Sequence, residues 1–234
     1  MLNFLLALTL GVISFNTFAQ DNHKIRVRVE GISDTTVYLA NYYGNKLYYN
    51  DTTRADSKGY FEFDGKSFEE GGKYAIVVPG PKYFDFLVTD EPIYIETKAS
   101  DLVGSLKVIE SKENKFFFEY LNYLAGKRTE RDPFDAQLAD STLSENKKDA
   151  IKEKLHVLNE EVVAYQKQIV AENPDMLAAK LIQMTFEPEL PAVPDSVETK
   201  DLWRYYQYRA HYWDRVDLDD PRLVRDQMFH KLLE

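Results

Sequence analysis

Between Ile25 and Ile109 apolar and polar side chains alternate with a period of two, the pattern of strands that bury one face and wet the other. Ile25, Val27 and Val29 interleave with Arg26, Arg28 and Glu30. Further strands are predicted at Val37-Tyr38-Leu39-Ala40, at Leu47-Tyr48-Tyr49 after a Gly44-Asn45 turn, and at Tyr60-Phe61-Glu62-Phe63. Asp56-Ser57-Lys58-Gly59 reads as a hairpin turn. Tyr74 to Val78, Tyr83 to Val88, Ile93 to Thr97 and Leu106 to Ile109 complete seven or eight short strands, a number and spacing that predict an antiparallel β-sandwich. Strand and helix do not alternate, which argues against a doubly wound nucleotide fold.

From Ser111 onward the period changes to that of helices. Ser111 is placed to cap a helix carrying Phe116, Phe117, Tyr120, Leu121 and Leu124, with Gly126 as its end. Ile151, Leu155, Leu158, Val162, Tyr165 and Ile169 then recur at intervals of four and three, a sustained apolar stripe on a long helix that starts at Ser144 and stops at Asn173-Pro174. Asp175 is predicted to cap a short helix through Leu177 and Leu181, and Pro188, Pro191 and Pro194 mark a loop. A helix rich in aromatics follows from about Val197. Asp220 before Pro221 predicts a last start, into a helix through Leu223, Val224, Met228 and Leu232 that has no stop signal before Glu234. The expected class is α+β: an N-terminal antiparallel β-sandwich over 20–110, then a helical domain over 111–234, read as truncated at its C-terminal end.

Residues 1–19 carry no charge, and an apolar run from Leu2 to Phe15 leads to Asn16-Thr17-Phe18-Ala19, after which the chain turns polar. This predicts a signal peptide cleaved after Ala19, although no Lys or Arg precedes the run. The expected location is the periplasm or cell envelope. No later segment is apolar enough to span a membrane.

Charge and cysteine content narrow the chemistry. Twenty-nine Lys and Arg against 39 Asp and Glu leave a net charge of −10, which argues against a nucleic-acid partner. The absence of Cys excludes disulfide frameworks, thiol nucleophiles, CxxC redox sites, cysteine-ligated metals and lipid attachment to an N-terminal cysteine in this chain. His23, His156, His211 and His230 stand in no ligand spacing; His156 and Glu160 read as an exposed helical pair, and Asp217, Asp219 and Asp220 as capping residues. No GxSxG or phosphate-binding glycine loop occurs. The sequence therefore predicts no catalytic residue, no metal and no cofactor.

Aromatic residues are in excess, with 16 Tyr, 14 Phe and 2 Trp, and they are densest between Trp203 and Trp213. On a helix, rings at this density point in several directions, so some must meet another element or a partner. Trp203, Tyr206, Tyr212 and Trp213 are the candidate contacts for a protein or a glycan. Asp34-Thr35-Thr36, Asp51-Thr52-Thr53, Asp140-Ser141-Thr142 and Asp195-Ser196-Val197 share a pattern similar to the O-glycosylation signal of some Gram-negative envelopes, which makes Thr35, Thr52, Ser141 and Ser196 candidate acceptors. Caps and turns account for the same Asp-Ser and Asp-Thr pairs equally well.

Several motifs together resemble a known arrangement. Gly31, Val37-Tyr38-Leu39, Asp51-Thr52, Asp56, Gly59-Tyr60-Phe61-Glu62-Phe63, Gly72-Lys73-Tyr74, Phe86-Leu87-Val88 and Ser111-x-x-Asn114-x-x-Phe117 resemble an uncharacterised β-domain. In its family that domain stands upstream of a thioredoxin-like domain of the thiol:disulfide interchange and alkyl-hydroperoxide-reductase type. His211-Tyr212-Trp213-Asp214, Asp217-Leu218 and Pro221-Arg222-Leu223 resemble a second uncharacterised domain found between those two. The resemblance implies a non-catalytic accessory region used for docking, dimerisation or substrate presentation. Its partner would be another protein, a C-terminal thioredoxin-like domain, or a second copy in a homodimer. The alternative reading is a free-standing envelope binding module, with glycans held by the aromatic helix.

Overall fold

The computed structural model describes residues 24–64 and 70–234, so the expected signal peptide and His23 lie outside the described residues. Eight strands come first: β1 (Lys24–Glu30), β2 (Thr36–Tyr43), β3 (Lys46–Arg54), β4 (Tyr60–Asp64), β5 (Gly72–Val78), β6 (Lys82–Val88), β7 (Ile93–Lys98) and β8 (Lys107–Glu110). They form two four-stranded sheets, β4-β1-β7-β8 and β3-β2-β5-β6. The period-two apolar set meets between them: Ile25, Val27 and Val29 of β1, Leu39, Phe63, Ile76, Phe84, Phe86 and Ile95 are all nearly inaccessible to solvent.

The outer face of the β1 sheet is wet. Arg26 pairs with Glu110, and the guanidinium groups of Arg26 and Arg28 lie over the rings of Tyr94 and Tyr60 at 5.3 and 5.1 Å. The outer face of the other sheet is covered by helices, so β5, with its unbroken apolar run, is buried on both sides.

Two details of the sheets differ from expectation. β1 and β7 pair in parallel, with Ile25 opposite Ile93, while every other pairing is antiparallel. The Asp56–Gly59 segment is a turn but not a hairpin, because it carries the chain from β3 in one sheet to β4 in the other. The Asp56 carboxylate accepts from the N–H groups of Lys58 and Tyr60. Gly59 sits at φ +80°, where a Cβ would fall 2.1 Å from the Val29 carbonyl oxygen, so only glycine fits.

Helices follow: α1 (Lys112–Leu138), α2 (Glu145–Glu172), α3 (Leu177–Gln183), α4 (Lys200–His211), a 3-10 turn (Pro221–Arg225) and α5 (Gln227–Leu233). Gly126 does not end α1. A glycine inside a helix costs only about 1 kcal/mol, and Lys127 fastens this stretch to Glu161 of α2 at 2.7 Å. Pro133 is also inside α1, on an exposed turn where water can take the carbonyl it leaves free. α2 turns its predicted stripe, Ile151 to Ile169, towards α1. The final helix is broken in two at Asp226: Asp220 caps the 3-10 turn through the Arg222 N–H, and Asp226 caps α5 through the Met228 N–H.

One joint ties helices to sheets. β6 is an edge strand, and the side chain of Asn114 in the first turn of α1 stands where the next strand would be. Its Oδ1 accepts from the Leu87 N–H at 2.8 Å and its Nδ2 donates to the Leu87 carbonyl at 2.7 Å, all of it fully buried. Asn114→Ala strands both Leu87 backbone groups away from water, and the expected loss of stability is about 3 kcal/mol. A lowered urea midpoint with an unchanged m-value checks it.

Candidate interaction surface

The helices around α4 rest on a rigid base. The carboxylate of Glu91 accepts from the Ser111 hydroxyl and from the N–H groups of Lys112 and Glu113, so the orphan donors at the start of α1 are satisfied and its dipole is complemented. Glu113, itself buried, reaches across to α3, where its Oε1 accepts from the Ala178 N–H at 2.6 Å. That carboxylate, from 65 residues earlier in the chain, replaces the predicted Asp175 cap. The helix starts at Leu177 after Met176, which has no capping side chain. Around these contacts lies a second core of Leu87, Phe117, Leu177, Leu181, Met184, Val216, Leu223 and Leu232.

A polar cluster fixes α5 on the sheet. The Lys73 ammonium of β5 is 3.3 Å from Asp226 and 3.8 Å from Asp85, and lies 5.2 Å from the centre of the Tyr42 ring. The Tyr42 hydroxyl donates to Asp85 at 3.0 Å. Burial pushes the Asp85 carboxyl above its ordinary value, against the pull of Lys73. On the far side of α3, Lys180 bridges Asp217 and Asp220, both at 2.8 Å. Arg222 and Lys180 hold the Asp220 carboxyl far below the usual range. These perturbed groups spend their charge on holding elements together.

α4 is built differently. It follows the proline-marked stretch 187–199, which is mostly exposed and has no regular structure, and none of its twelve residues is buried. Trp203, Gln207 and His211 are half-buried along one line at every fourth position. The opposite face carries Leu202, Tyr205, Tyr206 and Arg209, with Leu202 51%, Tyr205 54% and Tyr206 57% exposed. The Tyr205 and Tyr206 rings meet edge to face at 5.6 Å, and the Arg209 guanidinium is 5.7 Å from the centre of the Tyr205 ring. Tyr208 donates to Glu187 at 3.4 Å, and among the described residues α4 packs closely on no other helix or strand.

The four predicted aromatic contacts are thus not one platform. Tyr206 faces solvent and Trp203 is half-buried beneath it. Tyr212 and Trp213, just past α4, turn inward onto the second core: the Tyr212 hydroxyl donates to the Leu232 carbonyl at 3.1 Å, and Trp213 lies 6.4 Å from Phe229. Leu202, Tyr205 and Arg209 join Tyr206 instead, a set that the i, i+3, i+4, i+7 spacing could have singled out.

Of the hydroxyl candidates, Thr52 on β3, Ser141 between α1 and α2, and Ser196 in the proline-marked stretch are exposed, whereas Thr35 is half-buried. Asp140 accepts from the Thr142 N–H and hydroxyl, which is the local turn role. His156 lies 3.3 Å from Glu160 on the exposed surface of α2. Among the described residues no group of three or more His, Asp or Glu could hold a metal ion, and no helix is long and apolar enough to cross a membrane.

Residues 23–117 match the family model of a domain of unknown function (DUF4369). The N-terminal side of the chain is thus similar to an uncharacterised domain, and the match spans all eight strands and the first turns of α1, with the Asn114 joint included. No curated protein matches the chain.

Glu113 makes the energetics of this base testable. Burial raises its carboxyl above the ordinary 4.5, more than the bonds from Ala178 and Leu177 lower it. The folded chain therefore holds this proton more tightly than the unfolded chain, and the contribution to stability falls as pH rises from the ordinary Glu value through the folded one. Glu113→Gln keeps an acceptor for the Ala178 N–H without the charge. Its stability is expected to gain on the wild type as pH rises above the ordinary Glu value, with a flatter profile in urea titrations, while Asp85 retains the remaining slope.

Proposed function

We propose that this chain is a non-catalytic accessory region of a periplasmic thioredoxin-like thiol:disulfide oxidoreductase, serving docking, dimerisation or substrate presentation beside a redox domain. The observation that carries the reading is α4: an aromatic and basic helix face held clear of the core, in a chain without cysteine. The N-terminal domain of unknown function and the signal-peptide pattern of residues 1–19 support it. In this reading the exposed hydroxyls of Thr52, Ser141 and Ser196 are acceptors for O-linked sugars after export.

The coding frame after the codon for Glu234 tests the reading. Continuation into a domain with a CxxC pair is expected, and the purified chain 20–234 alone should not reduce insulin disulfides. A stop codon at that point, or disulfide reduction by the chain alone, overturns it.

The exposure of Tyr205 and Tyr206 also favours the second reading, a free-standing envelope module that stacks glycans on α4. Titration with envelope oligosaccharides should then show affinity falling about tenfold in Tyr206→Ala. Equal affinity in the variant removes this reading.

A further inference from the structure

Among the described residues, the side chains of α1 beyond Leu124 form hydrogen bonds and ion pairs within α1 and to α2, so the two helices run together as an antiparallel arm. About 20 Å of α1 lies in that arm, at 1.5 Å per residue. Tyr123 stacks on Tyr165 near its root, at 3.9 Å between ring centres. Toward the tip the arm carries an open groove of about 500 Å³ whose apolar floor is Phe134, Val157 and Leu158, rimmed by Glu130 and Glu153. Lys154 is drawn over the Phe134 ring at 5.3 Å. Val157 is 46% exposed. Glu130 pairs with Lys127 at 3.1 Å, whereas Glu153 has no ion-pair partner among the described residues.

This groove and α4 are complementary. The helix offers Leu202, Tyr205 and Tyr206 to an apolar floor. Arg209, which among the described residues likewise has no ion-pair partner, can meet Glu153 on the rim. Lys200–His211 carries a net charge of +2 in a chain whose total is −10, so the acidic surface of its own kind is the counterpart its charge favours. Among the described residues α4 does not pack closely on α1 or α2.

We infer that two copies of this chain dock reciprocally, with α4 of each seated in the arm groove of the other. The inference rests on the docking reading above and names a second copy as the partner. Reciprocity closes the contact around a two-fold axis and uses both surfaces twice. Doubling matters because one twelve-residue helix is a small contact beside the roughly 1,200–2,000 Å² of a stable interface. Leu202, Tyr205, Tyr206 and Arg209 then act as the i, i+3, i+4, i+7 anchors of a helix in a groove.

Light scattering on sized 20–234 protein, loaded at roughly 100 μM to saturate even a micromolar contact, should give twice the chain mass. Tyr205→Asp and Val157→Asp, both at exposed positions, should each weaken the dimer at least about thirtyfold and elute as monomers with unchanged melting. An equimolar mixture of the two variants restores one intact contact, the α4 of one in the groove of the other, so it should dimerise more tightly than either variant alone and more weakly than the wild type. A wild-type monomer, a dimer that survives either substitution, or a mixture that associates no more tightly than the separate variants overturns the inference; the last result would mean that like surfaces pair. None of these outcomes bears on the CxxC frame or on insulin reduction, so the accessory reading stands or falls separately.

Discussion

The buried amide of Asn114 is the constraint on which the helical half depends. An edge strand presents unpaired N–H and C=O groups that water must satisfy if nothing else does. At Leu87 water is excluded, since that residue also anchors the second hydrophobic core from the outer face of the sheet. The Asn114 side chain supplies one donor and one acceptor at the spacing of a peptide, so the strand ends its sheet without a buried debt of hydrogen bonds. Ser111 in turn accepts from the Asn114 backbone and side chain and is itself held by Glu91. Ser111 keeps φ at +134°, a conformation a non-glycine residue holds only when its neighbours over-determine it.

From that joint the order propagates. Fixing the first turn of α1 fixes the direction of Glu113, which fixes the start of α3, and α3 carries Lys180 to Asp217 and Asp220 at the entrance to the 3-10 turn. The turn lies against β5, where Gly72 at φ +117° leaves room: a Cβ there would stand 2.8 Å from that of Arg225. Asp226 then closes the circuit, capping α5 with one oxygen and meeting Lys73 of β5 with the other. Each link costs desolvation, but it is offset by a partner whose geometry is set by the link before it.

What the chain discloses by itself follows the range of the interactions. Strands were legible because alternation is local: Ile25, Val27 and Val29 point inward whatever lies beside them. The α2 stripe and the Asp220 cap were legible for the same reason. Pairings across long separations were not. Nothing near Ile25 signals that its parallel neighbour is Ile93, and nothing near Asp175 signals that Glu113 will take its place. Gly126 and Pro133 carry strong local stop signals, but contact with α2 and an exposed turn outweigh them. In the candidate surface, ring density marks the segment from Trp203 to Trp213 but does not say which rings face solvent: Tyr206 does, whereas Tyr212 and Trp213 turn inward. Their inward turn depends on Leu232 and Phe229, which density cannot reveal.

α4 stands outside this network, and its isolation has a thermodynamic meaning. Helices shorter than about 12–15 residues are marginal in water, because nucleation is costly and few hydrogen bonds repay it. α4 has twelve residues, its Thr199 makes no capping side-chain bond, and no residue of it is buried. Its apolar spacing is the same as that of α2, which is turned inward against α1. The difference is that, among the described residues, no helix or strand packs closely over Leu202, Tyr205 and Tyr206, which stay about half exposed. An amphipathic helix gains most of its stability from covering its apolar face. A partner that covered this face would supply the stabilisation that α2 draws from α1, and at α4 folding and recognition would then be the same event.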